Sequence, residues 1–349
     1  MHKPESNRVA GVVGAGSFGT TVATLLAYNT DVLIYTRKQE VADRINHEHT
    51  HIGVALDPRI RATLSLEEVC SRCHLIFPVV PSENFRETMV AMAPLLTPAH
   101  ILIHATKGLD IAGIPMAQLN KVNISRKNIH TMSEVIRQET SVVRVGCLAG
   151  PNLYREILDK QPAASVIASE FDEVIKAGSE VLSSRHFYVF GSYDLMGAEM
   201  AGALKNIIAM GSGMLSGKGL GKNLEAMLIT RGLREMIEIG RSVGATSRSF
   251  LGTAGIGDLI ATATSNKSRN FMFGYRLGKG EKMQDIVDSM DEVVEGVRTV
   301  RIANQLAKHY HLRVPIINMI YSVVFDNLDL EKAIQFLMRY PYLPDVDFI

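Results

Sequence analysis

The chain reads as an α/β protein in two parts, a doubly wound sheet followed by an all-helical domain. Three observations carry that reading. Short apolar runs of strand type alternate with helical patterns through the first half. A glycine-rich turn joins the first strand to the first helix. From residue 194 strand signals nearly vanish and helical patterns dominate. The change marks a boundary near residues 190–194, so domains of 1–192 and 193–349 are expected.

Composition sets the outer limits. At 349 residues the chain has room for two domains, and 46% hydrophobic with 21% charged residues is an ordinary globular balance. A formal charge of +1 argues against bulk binding to nucleic acid or to an anionic membrane. The expected partner is a small molecule, and any anion site must be a local cluster. The opening MHKPESNRVAGVV has no long apolar core and no small-residue cleavage site, which gives a cytoplasmic expectation. The three cysteines, Cys70, Cys73 and Cys147, fit a reducing compartment. Cys70 and Cys73 form a C-x-x-C without a second ligand pair at metal spacing, so no metal is expected. The pair reads as small apolar filler ahead of the strand LIFPVV, with a redox pair as the alternative.

In chain order, residues 9–13 form the first strand. Gly14, Gly16 and Gly19 then spell G-x-G-x-x-G, TTVATLLA carries a helical pattern, and DVLIYTR at 31–37 is a second strand. In this context the glycine pattern acquires physical meaning. Gly14 permits a tight turn, Gly16 lets backbone approach a pyrophosphate, Gly19 lets helix pack on strand, and the helix N-terminus faces the anion. The first part is therefore expected to be Rossmann-like, with NAD or NADP as cofactor; three turn glycines in an unrelated α/β fold are the plainer reading. An acidic residue ending the second strand would bind the ribose 2′-hydroxyl of NAD. This strand ends Tyr35-Thr36-Arg37-Lys38, with no carboxylate until Glu40. Arg37 favours NADP by offering a guanidinium to a 2′-phosphate, unless Arg37 and Lys38 are simply solvated surface charges.

The alternation continues. HLIFPVVPSENF reads as strand, turn and helix start, ILIHATKGLD as strand and turn, and VVRVGCLAGPN as a strand running into Gly150-Pro151-Asn152. Open α/β sheets bind ligands at such strand ends, which makes Lys107 a candidate for the reacting centre rather than an ordinary loop lysine. Residues 163–169 and 186–190 supply further short strands, and 111–140 is polar and irregular before turning helical.

The second half opens on LMGAEMAGALKNIIAMGSGML at 195–215, long, apolar and rich in small residues, with Lys205 in its middle. Ala198, Gly202, Lys205 and Ala209 fall on one helical face, nearly bare except for one ammonium group. Either a core helix carries a lysine that snorkels to water, or Lys205 is held for a purpose. Glu199, Lys205 and four glycines speak against a membrane span. Helical patterns cover 194–216, 223–243, 283–290, 298–309, 314–325 and 330–339. A helical domain after a doubly wound one is expected to leave a ligand cleft. GIGDLIATATSNKSRN places Asp258 after a Gly-x-Gly turn, Thr262 one helical turn on, and Ser268, Arg269 and Asn270 as a hydroxyl, a guanidinium fork and an amide suited to phosphate. The plainer readings are a helix N-cap for Asp258 and a surface charge for Arg269. Glu295, in VVEGVRTV, reads as a solvated carboxylate at a helix start.

As a set, GAGSFGT (14–20), ATKGL (105–109), AGPN (149–152), GALKNIIA (202–209), LITRGLREM (228–236), AGIGDL (254–259), SRN (268–270) and VVEGVRT (293–299) resemble the bacterial-type NAD(P)-dependent sn-glycerol-3-phosphate dehydrogenases. They occur in the family's order over nearly the whole chain. The resemblance implies reversible reduction of dihydroxyacetone phosphate to sn-glycerol 3-phosphate for glycerophospholipid synthesis. The alternatives are another dehydrogenase of the same build acting on a different hydroxy acid or polyol phosphate, and a dinucleotide-binding sensor without catalysis. By the resemblance Lys205 is the proton-transfer lysine, Lys107 contacts substrate and cofactor, and Asp258 assists. Gly150, Asn152, Thr262, Ser268, Arg269 and Asn270 would join these three at the substrate. Ser17, Phe18, Arg37, Lys107, Arg269, Val293 and Glu295 would join the glycines Gly14, Gly16 and Gly19 at the cofactor. Asn152-Leu153 departs from the family's usual Ser or Thr followed by Phe. A homodimer is the expectation from the apolar helical half and from the family. The C-terminal PYLPDVDFI has no counterpart that the sequence makes readable.

Overall fold

The structure is a computed structural model, and it describes residues 9–111, 113–114, 118–119, 124–290 and 293–340. The PYLPDVDFI tail and parts of 111–140 therefore lie outside the described residues. The chain forms two compact units. One comprises the described residues up to Thr106 together with Met132–Leu195. The other comprises those of Lys107–Thr131 and from Met196 onward.

The first unit runs through β1 (Val9–Val13), α1 (Ser17–Leu26), β2 (Asp31–Tyr35) and α2 (Gln39–Asp43). A small hairpin of β3 (Thr50–His51) and β4 (Val54–Ala55) precedes β5 (Ile60–Thr63), α3 (Leu66–Arg72), β6 (Leu75–Pro78), α4 (Ser82–Met92) and β7 (Ile101–His104). The second unit then claims the paired strands β8 (Asp110–Ile111) and β9 (Ile129–His130). The first unit resumes with α5 (Met132–Glu139), β10 (Arg144–Ala149), α6 (Tyr154–Leu158), β11 (Ala163–Ser169), α7 (Asp172–Leu182) and β12 (Phe187–Ser192).

Its sheet has eight strands in the order β12-β11-β10-β7-β6-β1-β2-β5, parallel throughout except where β11 meets β10. Central strands read as continuous apolar runs because both faces are covered. On one face Val22 and Leu26 of α1 join Ile157 of α6 and Val174 and Leu182 of α7. On the other, Val69 of α3, Phe85 and Met89 of α4, and Val135 and Ile136 of α5 close the second layer. Each such buried side chain contributes about 1.5–3 kcal/mol of apolar transfer free energy. The doubly wound expectation is met, with two refinements. β2 stops at Tyr35, and β5, whose burial alternates, carried too short a pattern to be read from sequence. Cys70 and Cys73 are buried in the second layer, where desolvation pushes their thiols up to about 11 and about 12, as packing filler rather than reactive groups.

The second unit is helical: α8 (Leu195–Gly217), α9 (Lys222–Ser242), α10 (Asp258–Ala263), α11 (Arg269–Gly278), α12 (Met283–Asp288), α13 (Glu295–His309), α14 (Pro315–Phe325) and α15 (Leu330–Arg339). One core takes side chains from nearly all of them. α8 lies inside it, buried almost all round from Ala198 to Leu215. Its glycines explain how α11 packs so near. A Cβ on Gly213 would stand 2.0 Å from the Phe271 carbonyl oxygen, and one on Gly274 1.9 Å from that of Met210. The two helices thus touch backbone to backbone, a contact only glycine allows. Glu235 of α9 fixes α14 by accepting the Ile316 and Ile317 N–H groups, each at 2.9 Å. Burial pushes its carboxyl up to about 8, against the opposing pull of those donors. Among the described residues no helix is long and apolar enough to cross a membrane.

Candidate active site

In the first unit the glycine turn has the form its spacing predicts. Gly14 takes φ +114°, and its N–H donates to the Tyr35 carbonyl at 3.2 Å, pinning the turn to the end of β2. A Cβ on Gly14 would meet the Val79 carbonyl oxygen at 2.4 Å, and one on Gly19 the Gly14 carbonyl oxygen at 1.8 Å. Gly16 differs, because a Cβ there would meet nothing within 4 Å. Two glycines hold the turn together and the third leaves open space ahead of α1. Ser17 and Phe18 open that helix, whose first turn has no acidic residue. An uncapped helix start beside bare backbone suits a pyrophosphate, so these residues fit a dinucleotide. Arg37 is exposed, two residues beyond β2.

Gly150 closes β10 with φ +123°, and a Cβ there would stand 3.3 Å from Ser165 Cα. Asn152 Nδ2 donates to Ser165 Oγ at 3.1 Å, and Ser165 Oγ donates to the Ala149 carbonyl at 2.7 Å. Asn152 Oδ1 is buried without a partner. The asparagine that departs from the family pattern thus presents an acceptor awaiting a donor.

The second unit holds the charged cluster. Asp258 opens α10, following the π-turn Thr253–Gly257. That turn needs Gly255, where a Cβ would collide with the Phe250 backbone at 2.2 Å. Asp258 is 1% exposed, and each of its oxygens accepts from a different lysine: Oδ1 from Lys205 Nζ and Oδ2 from Lys107 Nζ, both at 2.6 Å. Thr262, four residues on, presents its hydroxyl to the same Lys205 ammonium. The Lys107 stem lies over Gly202, where an added Cβ would be 3.6 Å from Lys107 Cγ. The bare helix face read from the sequence is therefore the seat of the second lysine.

Electrostatics follow from that geometry. Burial is the largest influence on Lys205 and lowers its amine from 10.5 to about 7; the Asp258 carboxylate opposes the fall and the Lys107 ammonium adds to it. Two of the three Lys205 donors go to Asp258 and Thr262, which leaves one for a further acceptor. An amine poised near neutrality inside a desolvated cluster can both give and take a proton.

The phosphate candidates stand at the start of α11. Ser268 is its N-cap, accepting the Phe271 N–H at 3.2 Å, so the hydroxyl has a structural task as well. Arg269 is exposed, and its Nη1 lies 3.5 Å from the Val293 carbonyl oxygen. Asn270 Nδ2 donates to Asn206 Oδ1 and Asn270 Oδ1 accepts the Gly296 N–H, both at 2.9 Å. Glu295 begins α13, half-buried, with Val293 just ahead of the helix. Asn206 is the residue that sequence reasoning passed over. Its signal was its place beside Lys205 in ALKN, but nothing in a single chain says that this amide faces Asn270.

A glycine cradle shaped for a dinucleotide, together with a buried lysine poised for proton transfer, defines the class of NAD(P)-linked dehydrogenases. Comparison with known proteins gives the family. The family model described as NAD-dependent glycerol-3-phosphate dehydrogenase N-terminus matches residues 9–175, and that described as its C-terminus matches residues 194–335. The chain is 39% identical over 341 residues to a glycerol-3-phosphate dehydrogenase (NAD(P)+) of Saccharophagus degradans, covering 96% of this chain and 91% of that protein. A Pseudomonas fluorescens protein of the same name is 37% identical, with 100% of this chain and 95% of the relative covered. The crystal structure of a glycerol-3-phosphate dehydrogenase from Coxiella burnetii superposes with a TM-score of 0.85 at 28% identity, covering 96% of this chain and 99% of that one. The chain belongs to the NAD-dependent glycerol-3-phosphate dehydrogenase family.

Proposed function

We infer that the chain is an oxidoreductase that reversibly reduces dihydroxyacetone phosphate to sn-glycerol 3-phosphate with NADH or NADPH, supplying glycerophospholipid synthesis. The observation that carries this reading is the cluster of buried Lys205, Asp258 and Thr262 with half-buried Lys107 in a chain of this family. A bound reduced nicotinamide supplies the hydride that reaches the ketone carbon. Lys205 gives its proton to the carbonyl oxygen, so that the C=O π bond is replaced by one C–H and one O–H bond. In reverse the neutral Lys205 amine takes that proton back. Asp258 holds Lys205 and Lys107 in place, and Lys107 adds positive potential where the oxygen gains charge. Arg269, Asn270 and Ser268 grip the phosphate, so that binding far from the reacting carbon fixes its position. Gly150 and Asn152 border the substrate, the Asn152 oxygen accepting from a hydroxyl. Gly14, Gly16, Ser17, Phe18 and Gly19 hold the pyrophosphate; Val293 and Glu295 contact the cofactor from the second unit's side of the sequence.

Arg37 favours NADP because it stands, exposed, just past β2 where an NAD-specific site would place a carboxylate. We also propose a cytoplasmic homodimer with no nucleic-acid partner. The test is absorbance: NADH and NADPH, each with dihydroxyacetone phosphate. Loss of the reduced-nicotinamide band with either cofactor is expected, and with NADPH the higher kcat/KM. No loss with either would refute the activity, and a clear preference for NADH would remove Arg37 from the 2′-phosphate.

A further inference from the structure

The proton chemistry uses Lys205 but leaves its neighbour Asn206 without a task. An amide side chain offers two donors and one acceptor oxygen. Asn270 Oδ1 accepts the Gly296 N–H in the first turn of α13, and Asn270 Nδ2 gives one hydrogen to Asn206 Oδ1. The backbone donor fixes which way Asn270 faces, since a flipped amide would set N–H against N–H. One Asn270 hydrogen is left, and its direction is set by the other two bonds. Packing supports the same link independently. A Cβ on Gly296 would lie 2.8 Å from Asn270 Oδ1, 2.9 Å from the Asn206 carbonyl oxygen and 3.0 Å from Met210 Sδ. The start of α13 is thus pressed directly onto the Asn270 amide and onto the α8 backbone at Asn206.

We propose that Asn206 and Asn270 form an amide relay that ties the substrate's phosphate to the first turn of α13, so that phosphorylated substrate and cofactor bind cooperatively, with Asn206 as the positioning residue. This rests on the functional reading above, which puts Asn270 at the phosphate and Val293 and Glu295 at the cofactor. A phosphate oxygen taking the last Asn270 hydrogen orients the amide that holds Gly296, and a cofactor that orders the Val293–Gly296 turn orients the same amide in return. Such coupling is necessarily reciprocal.

Fluorescence titration of the reduced cofactor, alone and with saturating sn-glycerol 3-phosphate, reads the coupling, because those two cannot react together. Wild-type protein should bind the cofactor about fivefold or more tightly when sn-glycerol 3-phosphate is present. Asn206→Asp keeps an acceptor for Asn270 and should retain most of that ratio. Asn206→Leu removes it and should bring the ratio close to one. A packing role alone predicts the opposite order, since leucine fills the buried site and a carboxylate is the worse guest. Gly296→Ala, which forces the turn off the Asn270 amide, should lower the ratio too, and it serves if Asn206→Leu does not fold. A ratio of one in active wild-type protein, or an undiminished ratio in Gly296→Ala or Asn206→Leu, would overturn the relay. Absence of turnover with dihydroxyacetone phosphate would instead strike the functional reading itself, and the relay with it, and is told apart by the absorbance assay.

Discussion

The glycine turn before α1 and the lysine pair around Asp258 meet negative charge by opposite means. The turn does it by subtraction: with Gly16 open and no acidic residue in the first turn of α1, the helix start is left bare for an anion. The cluster does it by addition, setting two ammonium groups on one carboxylate that is 1% exposed. Within it positive charge exceeds negative when both lysines are protonated. Out of water that excess is costly, and Lys205 answers by an amine lowered to about 7. Backbone donors cannot change protonation state, whereas a desolvated lysine can. The first kind of site is suited to holding an anion and the second also to exchanging a proton.

The sharpest way to break this contrast is to remove the reacting group. Lys205→Ala should lower kcat for dihydroxyacetone phosphate by about 10²-fold or more, the range of general acid–base groups. Its dissociation constant for the reduced cofactor should stay near the wild-type value. Normal turnover would strip Lys205 of the proton-donor role, and lost cofactor binding would mean that the two regions are not separable.

The same contrast explains what was legible in the sequence. The turn is local: Gly14, Gly16 and Gly19 span six positions between a strand and a helix, and the φ of Gly14 and the tight approach of Gly19 follow from spacing alone. Most strands of the large sheet and the long helices followed from their periods for the same reason. The cluster is not local. Lys107 and Asp258 are 151 positions apart and Lys205 and Asp258 are 53 apart, so no window contains the site. The apolar stretch could say that Lys205 was unusual, and only the family resemblance could say which residues would meet it. Helix α11 was hidden too, because the polar side chains at its start outweigh a short apolar pattern. That Lys107 belongs with the helical unit left no trace in composition or period.

Two glycines of one turn test the turn's own division of labour. A Cβ at Gly19 would sit 1.8 Å from the Gly14 carbonyl oxygen, a backbone atom that cannot swing away. Gly19→Ala should therefore destabilise the first unit by about 1–3 kcal/mol, the usual cost of overpacking, visible as a lower melting temperature. Gly16→Ala meets open space and should melt like wild type while weakening cofactor binding about tenfold, the equivalent of 1.4 kcal/mol. If Gly16→Ala bound cofactor normally, the open face would not be the pyrophosphate's approach.

The smallest effect is the most specific to the cluster. On the proposed mechanism reduction needs Lys205 protonated and oxidation needs it neutral. With the amine lowered to about 7, kcat/KM for dihydroxyacetone phosphate should be level on the acid side and fall about tenfold per pH unit above 7. For sn-glycerol 3-phosphate it should rise toward 7 and then level off. Substrate phosphate also titrates near pH 6, so the assignment rests on a shift rather than on one midpoint. Asp258 is the group that opposes the lowering of Lys205. Asp258→Asn should therefore move the reduction midpoint of the residual activity to lower pH, with the phosphate's own ionisation left where it was. A midpoint that stays in place would assign the ionisation to some group other than the lysine Asp258 holds.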